Sequence, residues 1–402
     1  MPTLVLSEIF PPRTGGSGRW FWEIYRRLDR REYHFAVGEA PGHAEFDRTH
    51  TLRLHRLPLA MSQWGLLSWV GARAYLKHVR RLATLVHSQH ISRIHCGRCL
   101  PEGVMCLALK MWTHTPYICF VHGEDVNTAL HSREHTLLVR QVLAGADYCI
   151  ANSHNTARLL RTQWRCAEQR LHVLHPGVDT QQFRPAGRSP SVRRHLAWDN
   201  RPVILTAGRL QRRKGHDMLI RALPDIRAHL PRILYAIIGE GPERNFLQDL
   251  AQQLGVQDAV QFLGEISDPE LCACYQQCDL FALPNREIAG DIEGFGMVLL
   301  EAQACGRPVL AGTSGGTAET MRCGETGEVV DCCQPQPLAE AVIRFLSDPQ
   351  RCSRMGQAAR RWTVEHFDWD SLALQAQAIF FSDGRASRRG ASLPAAAFAV
   401  NK

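Results

Sequence analysis

Short apolar runs alternate with longer amphipathic segments along almost the whole chain. The strand-like runs are TLVLSEIF, RIHCG, YICFVHG, YCIANS, LHVLHPG, PVILTAG, ILYAIIGEG, AVQFLG, LFALP, PVLAG and GEVVD. Between them lie segments such as HTLLVRQVLAGA and PLAEAVIRFLSDP, whose apolar residues recur at helical spacing. Buried strands that alternate with helices form parallel sheets covered by helices on both faces. The pattern therefore predicts an α/β protein built from doubly wound sheets.

The alternation breaks once, in a stretch near residues 176–202 that is rich in Pro, Gly and Arg and carries little periodicity. A new strand pattern, PVILTAG, follows it, so we predict two Rossmann-like domains. The aromatic-rich pattern WTVEHFDWDSLALQAQAIFF predicts a last helix that packs back towards the N-terminal domain. The small, polar and basic residues after it predict a disordered tail. The predicted bounds are 1–183 for the N-terminal domain, 184–201 for the linker, 202–365 for the C-terminal domain, 366–382 for the helix and 383–402 for the tail.

A glycine-rich stretch, RTGGSGRW, separates the first strand from the first helix, FWEIYRRL. Ligands of open parallel sheets bind off the carboxyl ends of strands, at helix N-termini, so we expect this stretch on the wall of a cleft between the domains. Gly16 would let the backbone come close to phosphate oxygens. The alternative is that glycine serves only a positive φ angle in a tight turn.

The segment EGFGMVLLEAQACGRPVLAG begins at Glu293 and predicts a turn, a helix and a strand. Gly296 opens the helix, so the backbone N–H groups of Met297 and Val298 lack intrahelical partners and can bind a diphosphate. Glu301, one turn further on, suits the two hydroxyls of a ribose. Glu293 would meet whatever is attached beyond the phosphates. The alternative is an acid at a helix start followed by a solvated glutamate.

The segment TAGRLQRRKGHDMLI predicts a strand end, a basic loop and a helix. Arg209 and Lys214 flank that loop, and two fixed cations at a helix N-terminus suit a diphosphate. Arg212 and Arg213 lie between them and are open to solvation. The alternative is a basic surface loop.

These motifs resemble those of the retaining glycosyltransferases of the GT-B fold, in the large group that includes sucrose synthase and the phosphatidylinositol mannosyltransferases. The matching pattern is Glu-x7-Glu, here Glu293 and Glu301, together with the Arg-x4-Lys clamp of Arg209 and Lys214. Weaker marks in the N-terminal half are GGSGRW, HGED, IANSHNT and HPGVDTQQFRP. The segments GRLQRRKGHDMLIRALP and DIEGFGMVLLEAQACG are most similar to the phosphatidylinositol mannosyltransferase type.

The resemblance implies transfer of a hexose, with mannose favoured, from a nucleotide diphosphate sugar, with GDP-mannose favoured, to a lipid-linked, polysaccharide or glycan precursor. A UDP-sugar donor is the alternative. The anomeric configuration would be retained. No metal and no other cofactor would be needed, because the clamp neutralises the leaving diphosphate.

The resemblance also assigns roles to individual residues. Glu301 would bind the ribose, Glu293 the hydroxyls on C3 and C4 of the sugar, and His122 in FVHGED would lie near the sugar and the acceptor. The implied catalytic residues are His122, Arg209, Lys214 and Glu293. The other implied donor-binding residues are Gly16, Gly208, Ile266, Phe295, Gly296, Met297 and Val298. The leaving phosphate would accept the acceptor proton; Glu124 or Asp125 as a nucleophile is the alternative.

The net charge of +8 is unevenly placed, since residues 48–101 contain nine Lys or Arg and no Asp or Glu. Within them, residues 61–82 predict a basic helix carrying tryptophans, which can lie on an anionic membrane surface. The alternative is a surface helix whose tryptophans belong to the core. No apolar run reaches the ~20 residues that span a bilayer, and no signal peptide is expected. We expect a cytoplasmic protein, peripheral on the cytoplasmic face of the membrane, with no nucleic-acid partner.

The fourteen cysteines favour reduced thiols over a disulfide framework. Cys96 and Cys99 form a lone CxxC, which is either a metal site or a pair of small buried side chains.

Three other classes of function remain open at this level. A non-hydrolysing nucleotide-sugar epimerase would not need the two glutamates of the Glu-x7-Glu pattern. A binding protein without catalysis would be expected to lose Arg209, Lys214 or Glu293, and all three are present. An oxidoreductase interpretation of RTGGSGRW is weak because the spacing is not GxGxxG.

Overall fold

The computed structural model describes residues 2–13 and 15–381. Its strands form two sheets, both parallel throughout. The strands are β1 (Thr3–Ser7), β2 (Tyr33–Gly38), β3 (Arg53–Leu57), β4 (Arg93–Cys96), β5 (Tyr117–Val121), β6 (Cys149–Ala151), β7 (Leu171–Val173), β8 (Val203–Ala207), β9 (Leu234–Ile238), β10 (Val260–Gly264), β11 (Leu280–Leu283), β12 (Val309–Gly312) and β13 (Gly327–Val330).

The helices cover both faces of each sheet. They are α1 (Gly16–Tyr25), α2 (His43–Arg48), α3 (Trp69–Ser88), α4 (Val104–Thr113), α5 (Glu124–Ala129), α6 (Arg133–Gly145), α7 (His154–Thr162), α8 (Pro190–His195), α9 (His216–His229), α10 (Arg244–Gln253), α11 (Asp268–Gln277), α12 (Met297–Ala304), α13 (Pro335–Leu346), α14 (Pro349–Phe367) and α15 (Trp369–Phe381).

The strand orders are those of two doubly wound domains, as the sequence predicts. The first sheet runs β3-β2-β1-β4-β5-β6-β7 and the second β10-β9-β8-β11-β12-β13. All the strand-like runs of the sequence become strands, and the structure adds β2 and β3. The polar edge strand β3, RLHRL, is at most half-buried, so it carries no apolar run that a sequence pattern could show.

The cores lie on both faces of each sheet. Leu4 and Leu6 of β1 enter one apolar cluster and Val5 enters the cluster on the opposite face. Likewise Leu205 of β8 and its neighbour Ile204 enter different clusters. Successive side chains of a strand point to opposite faces, so a run buried on both sides reads as continuously apolar. The helix layers leave the carboxyl ends of the strands facing the cleft between the sheets.

The described part of the chain ends in two helices where the sequence pattern predicted one over 366–382. Helix α14 runs to Phe367, and α15 begins two residues later, after the extended residue Asp368. Asp368 pairs with Val178 of the N-terminal half, which explains the break. Helix α15 then packs on α1, where the ring of Phe380 stacks on Tyr25 at 5.7 Å. The predicted tail, 383–402, lies outside the described residues.

The segment predicted as a linker, 184–201, contains the short helix α8. Arg193 of this helix is buried, and its Nε donates a hydrogen bond to the carbonyl oxygen of Asp199 at 2.7 Å. Trp198 is fully buried, with its Nε1 donating to Gln261 Oε1 at 2.7 Å. A six-residue helix that buries an arginine shows no apolar periodicity, which is why the sequence pattern indicated only a connection.

The basic segment differs from its prediction in extent. Helix α3 begins at Trp69, and residues 58–68 form a loop. The side chains of Leu67 and Trp69 are 87% and 81% exposed, so Trp69 is not a core residue. None of the helices among the described residues is long and apolar enough to cross a membrane.

Cys96 and Cys99 are fully buried in the core of the first sheet. The Sγ atoms of Cys99 and Cys119 lie 3.7 Å apart. This placement agrees with the interpretation of both as small buried side chains.

Candidate active site

The two domains meet where the glycine-rich loop after β1 faces the start of α12. Gly16 is the first residue of α1, and a Cβ added to it would lie 3.2 Å from Cε of Met297. Gly16 is not among the glycines with positive φ, so the alternative that glycine serves only a positive φ angle does not hold there. Gly294 lies against the backbone of His122, because a Cβ added to Gly294 would lie 2.3 Å from the carbonyl oxygen of His122. The glycine motifs of the two halves therefore lie on opposite walls of one cleft.

Glu293 precedes α12 and is bound by two cations. Its Oε2 lies 2.5 Å from Nζ of Lys214 and 2.5 Å from Nη1 of Arg213. Burial raises the pKa of this carboxyl, but the attraction of Lys214 and Arg213 outweighs it, so the pKa lies below its ordinary value. Glu293 is therefore ionised at neutral pH and can accept hydrogen bonds from hydroxyl groups.

Arg213 is a site residue that sequence reasoning missed. Arg212 is solvated, with its side chain 62% exposed, whereas the side chain of Arg213 is only 11% exposed. Besides Glu293, Arg213 contacts Asp291, with Nε 3.1 Å from Oδ1, and Glu124 of the other domain, with Nη2 3.4 Å from Oε2. The only signal in the sequence was its position inside the basic loop.

The two residues predicted to clamp a diphosphate, Lys214 and Arg209, differ in their surroundings. Lys214 lies over the backbone of Gly208, whose added Cβ would be 3.8 Å from its Cε. Arg209 is exposed, and within the described part of the chain its side chain makes no recorded hydrogen bond or ion pair. Lys214 is thus fixed beside Glu293, whereas the guanidinium of Arg209 is solvated.

Glu301 is buried one turn into α12 and is bound from both sides of the cleft. Its Oε1 accepts a hydrogen bond from Nη1 of Arg19 at 2.7 Å, and its Oε2 accepts one from the Tyr275 hydroxyl at 2.7 Å. Burial raises the pKa of Glu301 above its ordinary value, although Arg19 opposes that change. Arg19 belongs to α1 of the other domain. The residue expected to bind ribose therefore already holds two protein donors, neither of which the sequence pattern identified.

The start of α12 has the geometry that the sequence predicted. Gly296 caps the helix with a φ of 92°, a left-handed conformation that favours glycine. The helix then begins at Met297, so the amides of Met297 and Val298 point out of its N-terminus. Phe295 is buried and stacks on His175 with ring centroids 5.3 Å apart. Ile266, after β10, packs on the same core as Met297 and Val298.

His122 follows β5 and is fixed by hydrogen bonds. Its Nε2 lies 2.7 Å from the carbonyl oxygen of Gly97, and because a carbonyl only accepts, Nε2 carries the hydrogen. Its backbone N–H donates to Oδ1 of Asp125 at 3.1 Å, and the same oxygen accepts from Val126 N–H at 3.0 Å. The Asp125 carboxylate is thus used to shape the turn after β5, which argues against a nucleophilic role.

Comparison with known proteins covers most of the chain. Residues 189–362 match the family described as Glycosyl transferases group 1, and residues 14–182 match Glycosyltransferase Family 4. A GDP-mannose-dependent alpha-(1-6)-phosphatidylinositol monomannoside mannosyltransferase of Mycobacterium tuberculosis is 33% identical over 380 residues, which is 92% of this chain and 95% of that protein. The protein of the same name from Mycolicibacterium smegmatis is 35% identical over 372 residues, 91% of this chain and 94% of that protein.

Among solved structures, Anabaena Alr3699/HepE in complex with UDP superposes with a TM-score of 0.78 at 22% identity, covering 94% of this chain and 99% of that one. A likeness at this identity establishes the fold.

Proposed function

This chain belongs to the group 1 glycosyltransferases and has their two-domain GT-B fold; from that premise we propose that it transfers mannose from GDP-mannose to a phosphatidylinositol-based glycolipid, with retention of anomeric configuration. The observation that carries the proposal is the grouping of Glu293, Lys214 and Glu301 around the start of α12. The donor and acceptor are those named for the relatives from Mycobacterium tuberculosis and Mycolicibacterium smegmatis.

The donor would extend along the start of α12. Its diphosphate is placed against the free amides of Met297 and Val298, where the helix dipole favours negative charge. Its sugar hydroxyls meet the ionised Glu293, and its ribose hydroxyls meet Glu301. The ribose would replace the hydrogen bond that Arg19 now donates to Glu301.

The reaction needs stabilisation of the leaving group more than it needs a protein nucleophile. The acceptor oxygen forms a bond to the anomeric carbon as the bond from that carbon to the diphosphate breaks on the same face. The acceptor proton passes to the departing phosphate oxygen. Lys214, and Arg209 once it turns inward, stabilise the charge that develops on the diphosphate, which is metal-independent chemistry. His122, held by Gly97, lies near the sugar and the acceptor.

The acceptor would be reached from a membrane surface through the N-terminal domain. Leu67, Trp69 and Val70 are exposed around the start of α3. The exposed cations of the same helix are Arg73, Lys77, Arg80 and Arg81. Apolar anchors beside cations are the combination that binds anionic lipid surfaces.

The test is a transfer assay with purified protein and lipid vesicles containing phosphatidylinositol or its monomannoside. GDP-mannose, UDP-glucose and UDP-galactose are offered separately, and the linkage of the product is determined by NMR. An α-linked mannolipid formed from GDP-mannose alone is the expected result. Transfer from a UDP-sugar alone would contradict the proposal that GDP-mannose is the donor. A β-linked product would contradict retention of the anomeric configuration. The absence of any lipid product would contradict the proposed glycolipid acceptor.

A further inference from the structure

A second cluster of polar side chains lies at the boundary between the two domains, outside the donor site. His154 begins α7, and His175 lies in the loop after β7. Glu319 comes from the short helical turn Thr317–Thr320, which follows β12 in the other domain. One ligand atom from each of the three residues lies within 4.8 Å of the other two. Two imidazoles and one carboxylate from three separate elements thus converge on one point.

Glu319 is the fixed member of this cluster. Its Oε2 accepts hydrogen bonds from the backbone N–H of His154 at 2.7 Å and from Nε2 of His175 at 3.0 Å, and its Oε1 accepts one from Asn155 N–H at 2.8 Å. The N-terminus of α7 therefore sets the position of the Glu319 carboxylate.

The two histidines have defined positions as well. His175 stacks on Phe295 and meets the edge of Phe367 at 5.8 Å, so its ring plane is fixed. The ring of His154 lies 5.4 Å from that of His175. Imidazole nitrogens and a carboxylate oxygen are ligands that divalent transition metals accept in proteins.

We propose that His154, His175 and Glu319 bind a divalent transition-metal ion, with zinc as the best fit, and that this ion links the two domains. Zinc takes nitrogen and oxygen ligands at ~2.0–2.2 Å in a tetrahedral set, so three protein ligands leave one position for water. On binding, His175 moves its ring proton from Nε2 to Nδ1 and gives up its hydrogen bond to Glu319. Glu319 keeps its two backbone amides as outer partners, which orient the carboxylate.

The position of the ion predicts its effect. His154 and His175 belong to the N-terminal domain and Glu319 to the C-terminal domain, so the metal opposes separation of the two. The ring of His175 also stacks on that of Phe295, which lies just before α12. Zinc should therefore slow donor entry and product release while leaving the groups at Glu293 and Lys214 untouched. The ion acts as an inhibitory link and has no part in the chemistry.

The test uses metal-free full-length protein. Cobalt is titrated as a spectroscopic substitute and followed by its visible absorption, and zinc affinity is measured by competition with a chromophoric chelator. We expect one equivalent to bind, and His154→Ala to weaken binding at least about tenfold, as expected for loss of a ligand. Melting temperatures of the parent and of His154→Ala are measured alongside, so that loss of a ligand is distinguished from loss of folding. His87→Ala, which removes an exposed histidine of α3, is the matched control and should bind as the parent does.

A second variant, Glu319→Gln, keeps the size of the side chain and should also lose zinc. Zinc should inhibit turnover of the parent protein and of His87→Ala, and have no effect on His154→Ala at the same concentration. Equal zinc affinity of the parent and His154→Ala would overturn the proposal and leave Glu319 as a helix cap paired with His175. Failure of the parent protein to bind one equivalent of zinc would overturn the proposal as well.

Discussion

Nζ of Lys214 lies 2.5 Å from Oε2 of Glu293, so the lysine of the proposed phosphate clamp is held by the carboxylate that precedes α12. Arg213 shares that oxygen. Before a donor binds, the cations and the carboxylate of this site thus compensate each other. A nucleotide sugar offers both kinds of partner at once, with phosphates for the cations and hydroxyls for Glu293.

The clamp gives the first prediction. Arg209→Ala and Lys214→Ala should each lower kcat/KM by roughly 10²-fold or more, because each removes a charge that stabilises the leaving diphosphate. The measurement is steady-state kinetics with GDP-mannose, alongside melting temperatures to verify folding. Arg212→Ala removes a solvated cation from the same loop and should behave like the parent protein. Near-normal turnover of either clamp variant would exclude that residue from the mechanism.

The second prediction concerns metal dependence. Turnover should survive EDTA, because Lys214 and Arg209 supply the positive charge and because Arg213 already occupies the nearest acidic groups, Asp291 and Glu293. Initial rates are compared in buffer, in EDTA, and in EDTA followed by excess magnesium or manganese. A rate that EDTA abolishes and either ion restores would contradict metal-independent transfer.

The third prediction concerns the pairing of Arg19 with Glu301. Burial already raises the pKa of Glu301, and Arg19 opposes that rise, so Arg19→Ala should raise the pKa further. At a given acidic pH a smaller fraction of Glu301 is then ionised, and the acid limb of the kcat/KM profile should move to higher pH. Arg19→Lys keeps the charge and should largely preserve the profile. An identical acid limb for Arg19→Ala and the parent would show that Glu301 does not control donor capture.

Gly16 gives the fourth prediction. Since its φ is not positive, Gly16→Ala at the start of α1 should leave the melting temperature unchanged or slightly higher, by the helix propensity of alanine. Turnover should nevertheless fall, because the added methyl meets Met297 and narrows the cleft. Gly16→Val should lower turnover further, because its side chain is larger. Both quantities are measured on the same preparations, and a variant that melts early but turns over normally once folded would refute the close-approach argument.

The fifth prediction concerns docking on a membrane surface. Replacement of Arg73, Lys77, Arg80 and Arg81 by serine should abolish binding to anionic vesicles, and salt should weaken binding of the parent because charge is screened over ~10 Å at 0.1 M. Vesicle sedimentation measures both effects. The matched control removes four exposed arginines of the other domain, namely Arg221, Arg232, Arg354 and Arg361, and should still bind. Equal binding of the parent to neutral and anionic vesicles would contradict the proposal that electrostatic attraction drives docking.

The local features of the site could be predicted from the sequence. Gly296, the helix Met297–Ala304 and the two glutamates all lie within one short segment, where the helix start, its free amides and the spacing of side chains follow from backbone geometry. The parallel, doubly wound class of both sheets followed from the alternation of patterns, although no pattern indicated β2 and β3. The boundary between α14 and α15 could not be predicted, because it depends on the pairing of Asp368 with Val178 across the fold.

What the sequence by itself determined is therefore the class of fold, the helix α12 at which we propose that the donor binds, and the charged residues nearest to that helix in the chain. Only the tertiary structure decided which of those charges meet. Arg19 and Glu301 are separated by 282 positions and pair because two sheets dock face to face, and Arg213 is distinguished from Arg212 only by the direction in which the loop turns it. Local propensity fixes an element and its periodicity, whereas a contact between domains depends on packing that no single segment encodes.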